Sequence, residues 1–346
     1  MATDTQVCSP IGESNFKKYK TCFGPDAIAV LVKLHNDKHP DKPISLSLEP
    51  KKQLRELRKS VRGPKKARAA ELDLALSEHL GGAVSPVVAK NFRPSKPASW
   101  KSKPREWLTN FDIDAVMAQY NSMPEFKYRF LGVFPVDFAE PLESLGGACY
   151  IPQMCALRLA DLIKAGIRSS ANEVSQTKYT GFIINLDKHD QPGSHWTSVF
   201  AVLDPKLPSY GAYYYDSIGR QWPPEIERYL NKWKIEMAAL YKKPFKLEWS
   251  KAAHQSANTE CGMFSMMFQI LWIERLLYDE KRRQNKAQAD EREAKELVKT
   301  GQLTKAAQRL LMDKRPTSFD MIVGMPLKDM NAFYLRDVLY RGGEGK

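Results

Sequence analysis

The chain has 346 residues, which suggests about two domains of ordinary size or one domain with large additions. With 43% hydrophobic and 10% aromatic residues it can fill a core, which excludes a globally disordered chain. Its net charge of +13 allows an acidic partner, a nucleic acid or a charged assembly surface.

The longest uncharged run, residues 144–157, is shorter than the roughly 18 apolar residues of a membrane-spanning helix. The first 20 residues lack an apolar signal core. Neither membrane insertion nor classical secretion is therefore expected. Cys8, Cys22, Cys149, Cys155 and Cys261 form no CxxC pair and share no zinc-type spacing with the histidines. Most of these thiols are expected to be free, in a reducing compartment, and no metal site or cofactor is expected.

The first 98 residues read as a helical, basic arm, with 18 Lys and Arg against 10 Asp and Glu. A helix is predicted over 26–36, with Asp26 as its cap and Ile28, Leu31, Val32 and His35 at helical spacing. A second over 51–62 sets an apolar stripe (Leu54, Leu57, Val61) against a basic one (Lys51, Arg55, Arg58, Arg62). Gly63-Pro64 stops it, and a third helix runs over 66–80 to Gly81-Gly82. The basic stretch 51–68 suits an acidic or nucleic-acid contact, although a solvated helix face explains it as well. Pro86, Pro94, Pro97 and Pro104 suggest a linker over 84–104.

From Trp100 the texture becomes α+β. Strands are predicted over 128–133, 180–186, 196–203, 210–215 and 245–249, rich in β-branched and aromatic residues. Helices are predicted over 113–120, 157–165 and 223–241, and a long apolar one over 261–278. Residues 279–315 hold 18 charges and no aromatic residue or proline, as a solvated helix or insert would. Apolar periodicity returns over 318–341. The main domain is thus 99–346, with 279–315 as a charged insertion.

Three strings carry candidate chemistry. Gly193-Ser194-His195-Trp196 opens one predicted strand, Tyr215-Asp216-Ser217 ends the next, and His254-Gln255-Ser256-Ala257-Asn258-Thr259-Glu260-Cys261-Gly262 leads into the long helix. A cysteine at a helix start is favoured as thiolate by the helix dipole and free N–H groups. A nearby imidazole can hold its proton and pass it to a leaving amine, and a carboxylate behind the imidazole fixes its tautomer. A side-chain amide with a backbone N–H can bind a tetrahedral oxyanion. Taken singly, a strand histidine, a Cys-Gly before an apolar helix and an Asp in a turn are more often packing or turn residues.

The order His-Trp, Asp, then Gln-x5-Cys-Gly resembles the ubiquitin-like-protein (SUMO) protease superfamily of cysteine proteases, and within it the group found in large DNA viruses such as African swine fever virus. Leu108-Thr109-Asn110-Phe111-Asp112-Ile113-Asp114, Ser217-x-Gly219 before Pro223-Pro224, and the run Asp329-Met330-x-x-Phe333 with Leu339-Tyr340-Arg341 are also similar. The resemblance covers about 105–278 and 317–341.

It implies a permuted papain-like α+β core with a central mixed sheet and flanking helices. Cys261 would be the nucleophile, His195 the general base and acid, Asp216 the orienting member and Gln255 the oxyanion donor, with Asn258 a rival for that last role. The African swine fever virus enzyme carries Asn where Asp216 stands here. Trp107 and Trp196 would wall a narrow channel that selects residues without a Cβ, and Gly262 would let substrate backbone approach.

The resemblance further implies an endopeptidase that cuts after Gly-Gly and matures viral core or capsid polyprotein precursors, in the virion and host cytoplasm (viral factory). The alternatives are an isopeptidase that removes SUMO or ubiquitin, and a basic, non-catalytic scaffold with a protease fold. Gly81-Gly82 and Gly342-Gly343 are the candidate self-cleavage positions.

Overall fold

The computed structural model describes residues 7–61, 68–82, 85–168, 174–284, 309–310, 315 and 317–342. These fall into two compact units, 1–98 with 337–346, and 99–336.

In the first unit, prolines sit in the first turn of four helices: α1 (Pro10–Tyr19), α2 (Pro25–Lys38), α3 (Pro50–Lys59) and the short α5 (Pro86–Ala89). A missing N–H costs nothing in a first turn. Gly24, rather than Asp26, stands at the start of α2. Between α3 and α5 runs α4 (Ala69–Leu80), which Gly81 ends at φ 74°. These helices bury Phe23, Leu31, Val32, Leu57, Leu76 and Val88 in one cluster.

The stretch read as a linker is packed over 85–98. Val88, Asn91, Phe92 and Arg93 are buried, and Arg93 pairs with Glu13 and donates to Cys8 O at 2.9 Å. Its prolines mark a helix start and a turn rather than a loose tether. Gly82 packs against Leu31 and Val88, which does not suit entry into a protease cleft, and Gly343 lies outside the described residues.

The free-thiol expectation is corrected at four positions. Cys8 bonds Cys22 and Cys149 bonds Cys155, leaving Cys261 as the free cysteine. The basic stripe is also partly neutralised. Arg58 meets the buried Asp73, which also accepts from Thr21 Oγ1 at 2.7 Å and Cys22 N at 3.0 Å, and Lys59 pairs with Glu56. Lys51, Lys52 and Arg55 remain exposed, while 62–67 lie outside the described residues.

The second unit is built on a mixed five-stranded sheet, ordered β1 (Tyr128–Pro135), β4 (Tyr179–Asn185), β5 (Trp196–Val202), β6 (Gly211–Tyr215), β7 (Lys246–Trp249). β4–β5 and β5–β6 are antiparallel, and the two outer pairings are parallel. A small hairpin, β2 (Ile167–Arg168) with β3 (Val174–Ser175), lies apart. The central strands are buried on both faces, so they read as continuous apolar runs.

On one face, Phe182, Val199 and Tyr214 pack on Ile226, Tyr229, Leu230 and Trp233 of α9 (Pro224–Tyr241), with α7 (Pro152–Ala156) and α8 (Leu159–Ala165) alongside. On the other lies α10 (Cys261–Gln284), whose Trp272 stacks on Phe200 and Tyr213 at 5.2 and 5.1 Å.

Gln269 sets the depth of α10. Its amide donates to Ser198 Oγ at 2.6 Å and Val199 O at 2.7 Å and accepts from Tyr128 OH at 2.8 Å. A Cβ on Gly181 would meet Gln269 Oε1 at 2.2 Å, so only glycine allows this docking. The charged stretch read as an insertion begins inside α10, and 285–308 and 311–314 lie outside the described residues. The chain continues through α11 (Phe319–Val323) into α12 (Asp329–Leu339).

Candidate active site

The β5–β6 register brings two strand ends together. Ser198 pairs with Tyr215, so the residue entering β5 lies beside the residue leaving β6. His195 Nε2 and Asp216 Oδ1 meet there at 2.7 Å. Asp216 is fully buried, and its Oδ1 also accepts from Ile218 N at 3.0 Å.

With Nε2 committed to Asp216, Nδ1 is the ring nitrogen left for Cys261, whose side chain acts on the same ring. Burial of the ring opposes its charging. The hydrogen bonds and charges of Asp216 and Cys261 outweigh that and raise His195 to about 9. The ring is therefore an imidazolium at neutral pH, the partner a thiolate needs.

Cys261 is the first residue of α10 and only 4% exposed. The first turn of a helix leaves its N–H groups without intrahelical acceptors, and these point past the sulfur. Just upstream, the buried Glu260 pairs with Arg336 at 3.2 Å. Arg336 also donates to Glu106 O at 2.9 Å and lies over the Trp100 ring at 4.4 Å. A charge this close to the sulfur is thus balanced inside the protein. Sequence reasoning missed this pair, since an acidic residue beside a helix start carries no distinctive signal.

Gln255 is delivered by an extension of the β6–β7 pairing. Ser250 N donates to Tyr214 O at 2.9 Å, and His254 N and Gln255 N both donate to Ser217 O, at 2.8 and 2.9 Å. The Ser217 hydroxyl then donates to Gln255 Oε1 at 2.6 Å, while Gln255 Nε2 donates to Ala257 O. A carbonyl can only accept, so Ala257 O fixes which end of the amide is nitrogen, and the second N–H stays free. Ser217, buried beside Asp216, is a residue of the site that sequence reasoning missed. His254 is held by Tyr215 OH at 2.7 Å and Val323 O at 3.0 Å, and burial lowers its pKa despite backbone hydrogen bonds.

The other predicted residues gather around Leu108. Trp196 is buried and its Nε1 donates to Leu108 O at 3.0 Å. Trp107, next in sequence, is 45% exposed. A Cβ on Gly262 would meet Leu108 Cδ1 at 2.8 Å, so this glycine makes room for Leu108. The string that follows is a capping box: Thr109 Oγ1 accepts from Asp112 N at 3.2 Å, and Asp112 accepts from Thr109 N at 2.8 Å, starting α6 (Asn110–Met117). Asn258 is exposed. Among the described residues no group of three or more His, Cys, Asp or Glu is placed to hold a metal.

No protein-family model matches the chain. A protein of Acanthamoeba polyphaga mimivirus named as a thiol protease is 29% identical over 204 residues, 56% of this chain and 56% of that protein. A cysteine protease of African swine fever virus is 26% identical over 88 residues, 25% of this chain and 32% of its own length. In another isolate the protein named SUMO-1 cysteine protease is 25% identical over 88 residues. The chain thus spans about half the length of the first relative and a third of the others. The crystal structure of an African swine fever virus protease superposes with a TM-score of 0.52 at 14% identity, covering 99% of this chain and 98% of that one. The chain is therefore similar in sequence to viral cysteine proteases and shares the fold of one of them.

Proposed function

We propose that this chain is a cysteine endopeptidase that cuts after Gly-Gly and matures core or capsid polyprotein precursors of a large DNA virus, in the virion and the host cytoplasm where virions assemble. The observation that carries the reading is one imidazole bonded to Asp216 at 2.7 Å and raised to about 9 by Asp216 together with Cys261, the residue that starts α10.

The Cys261 thiolate attacks the scissile carbonyl carbon, and the carbonyl oxygen becomes an oxyanion. The free N–H of Gln255 and the backbone N–H of Cys261 receive that charge. His195 Nδ1–H protonates the leaving amine as the C–N bond breaks, which leaves a thioester. His195, now neutral, takes a proton from water as the water attacks. Expulsion of the sulfur then restores thiolate and imidazolium. Trp107, 45% exposed, and Trp196, beside Leu108, would wall the entry for a glycine before the cut.

The exposed Lys51, Lys52 and Arg55 of the first unit offer a contact for an acidic segment of substrate or for packaged nucleic acid. No helix among the described residues is long and apolar enough to cross a membrane.

A second reading, removal of a ubiquitin-like tag, is favoured by the name SUMO-1 cysteine protease carried by a relative. One experiment tests both. A peptide ending in Gly-Gly with a terminal electrophile is incubated with wild type and Cys261→Ala, beside a panel of capsid precursors and ubiquitin-like fusions. The expected result is a mass adduct on wild type alone and cutting of precursors. Cutting of the fusions alone would favour tag removal, and equal labelling of Cys261→Ala would refute the nucleophile.

A further inference from the structure

We infer that Asp329, at the start of α12, is a positioning residue that holds the oxyanion donor in place, an inference that rests on the peptidase reading. A carboxylate in the first turn of a helix ordinarily serves its own helix, by capping or through the dipole. Here the helix start is served otherwise: Asn331 N donates to Lys328 O at 2.8 Å, and Lys328 N donates to Asn331 Oδ1 at 2.9 Å.

The Asp329 oxygens go to a different segment. Ser256 N donates to both of them, at 3.1 and 3.3 Å, Ala257 N donates to Oδ2 at 3.0 Å, and Ser256 Oγ donates to Oδ2 as well. Two consecutive peptide N–H groups and one hydroxyl are thus collected by one half-buried carboxylate.

The consequence reaches Gln255 directly. With the N–H groups of Ser256 and Ala257 drawn toward Asp329, the 255–256 and 256–257 peptide planes are set, which fixes the backbone from which the Gln255 side chain leaves and the position of Ala257, whose carbonyl in the next peptide receives the Gln255 amide. Ser217 holds the other end of the same amide through Oε1. The loop before Cys261 is therefore bracketed from β6 by Ser217 and from α12 by Asp329. Neither residue touches the reacting atoms. The bracket lets the free N–H of Gln255 wait at the oxyanion position before substrate arrives, and donors placed in advance are the ones that lower the barrier most.

The test uses the full chain as wild type, Asp329→Asn and Asp329→Ala, with three readouts: kcat and KM on a fluorogenic Gly-Gly peptide, the rate of Cys261 alkylation by iodoacetamide, and hydrogen exchange at the amides of Ser256 and Ala257. Alkylation needs the thiolate but no oxyanion donor, so general damage to the site would lower it together with turnover. Removing one oxyanion donor outright costs about 10²–10³ in rate, so misplacing it in Asp329→Ala should lower kcat by about 10- to 100-fold. KM should stay within about twofold, and alkylation should be unchanged. Asp329→Asn keeps one acceptor oxygen and should fall between.

Unchanged kcat in Asp329→Ala, or alkylation falling in step with kcat, would overturn the inference. So would amides that stay protected in Asp329→Ala. Exposed amides with no turnover even in wild type would instead defeat the peptidase reading and, with it, the role assigned here.

Discussion

Replacing Asp216 separates orientation from charge. Nε2 of His195 carries a proton in the imidazolium, and also in the neutral tautomer whose Nδ1 faces the thiol, so the position behind it needs only an acceptor. Asp216 Oδ1 provides that at 2.7 Å, and the amide oxygen of Asp216→Asn can do the same. The new amide nitrogen would take the place of Oδ2, which has no hydrogen-bond partner among the described residues. The swap keeps the hydrogen bond but takes the counter-charge from the His195 imidazolium, so the thermal midpoint at neutral pH should fall.

A hydrogen bond to a charged partner contributes about 1.5–3 kcal/mol and a neutral one about 1 kcal/mol. Losing the whole bond in Asp216→Ala should then lower kcat/KM by about 10- to 150-fold, and losing only its charged part in Asp216→Asn by about 2- to 30-fold, the smaller loss at any given bond strength. The pH profile gives the sharper reading. Burial opposes charging of His195, and Asp216 is among the groups that overcome it and raise the ring to about 9. Activity should extend to about that pH in wild type, and its alkaline limb should move acidward in both variants.

Stability follows the same sign. A raised folded value means that the contribution of His195 is complete below its ordinary 6.5 and lost as pH rises through about 9. Initial rates on a Gly-Gly peptide from pH 5 to 10, with thermal melts alongside, check both points. Equal losses in the two variants, or an alkaline limb that stays in place in Asp216→Asn, would refute the reasoning.

Two further substitutions probe the surroundings of the site. Ser217→Ala removes the hydroxyl that donates to Gln255 Oε1 at 2.6 Å, so kcat should fall by about 10-fold with KM little changed, as steady-state kinetics would show. Arg336→Met strands the buried Glu260 without its cation, which should cost about 3–5 kcal/mol in chemical denaturation, and adding Glu260→Gln should restore part of that loss.

The parts of this fold that could be read from sequence are those whose signal is local. Strands buried on both faces read as apolar runs, which is why β4, β5 and β6 are found within a residue or two of their predicted ends. His195, Asp216 and Cys261 were legible because each stands where such an element begins or ends. The disulfides were not, because Cys8 and Cys22 lie 14 residues apart and Cys149 and Cys155 lie 6 apart, spacings that carry no pairing rule. Gly262 has a second demand on it that sequence does not show. A Cβ there would meet the Leu108 side chain, brought in from a distant segment. The prolines of 84–104 were read by composition as a tether, whereas Pro86 opens a helix and Pro94 O accepts from Arg341 N at 2.9 Å.

What the sequence could not convey is how the pieces are kept in register. Catalytic constellations tolerate errors of only about half an ångström. Adjacent residues at the end of β6 divide the work here: Asp216 turns toward His195, and Ser217 turns toward Gln255. One strand end therefore sets the spacing between the base and the oxyanion donor. The nucleophile is tied to the same ladder by another route, since Gln269 locks α10 to Ser198 and Val199 of β5. His195 itself leads into β5. The sequence-distant contacts of Ser217, Gln269 and Asp329 do this holding, and each is a polar side chain bonded to backbone or amide, a type of residue that composition and periodicity pass over.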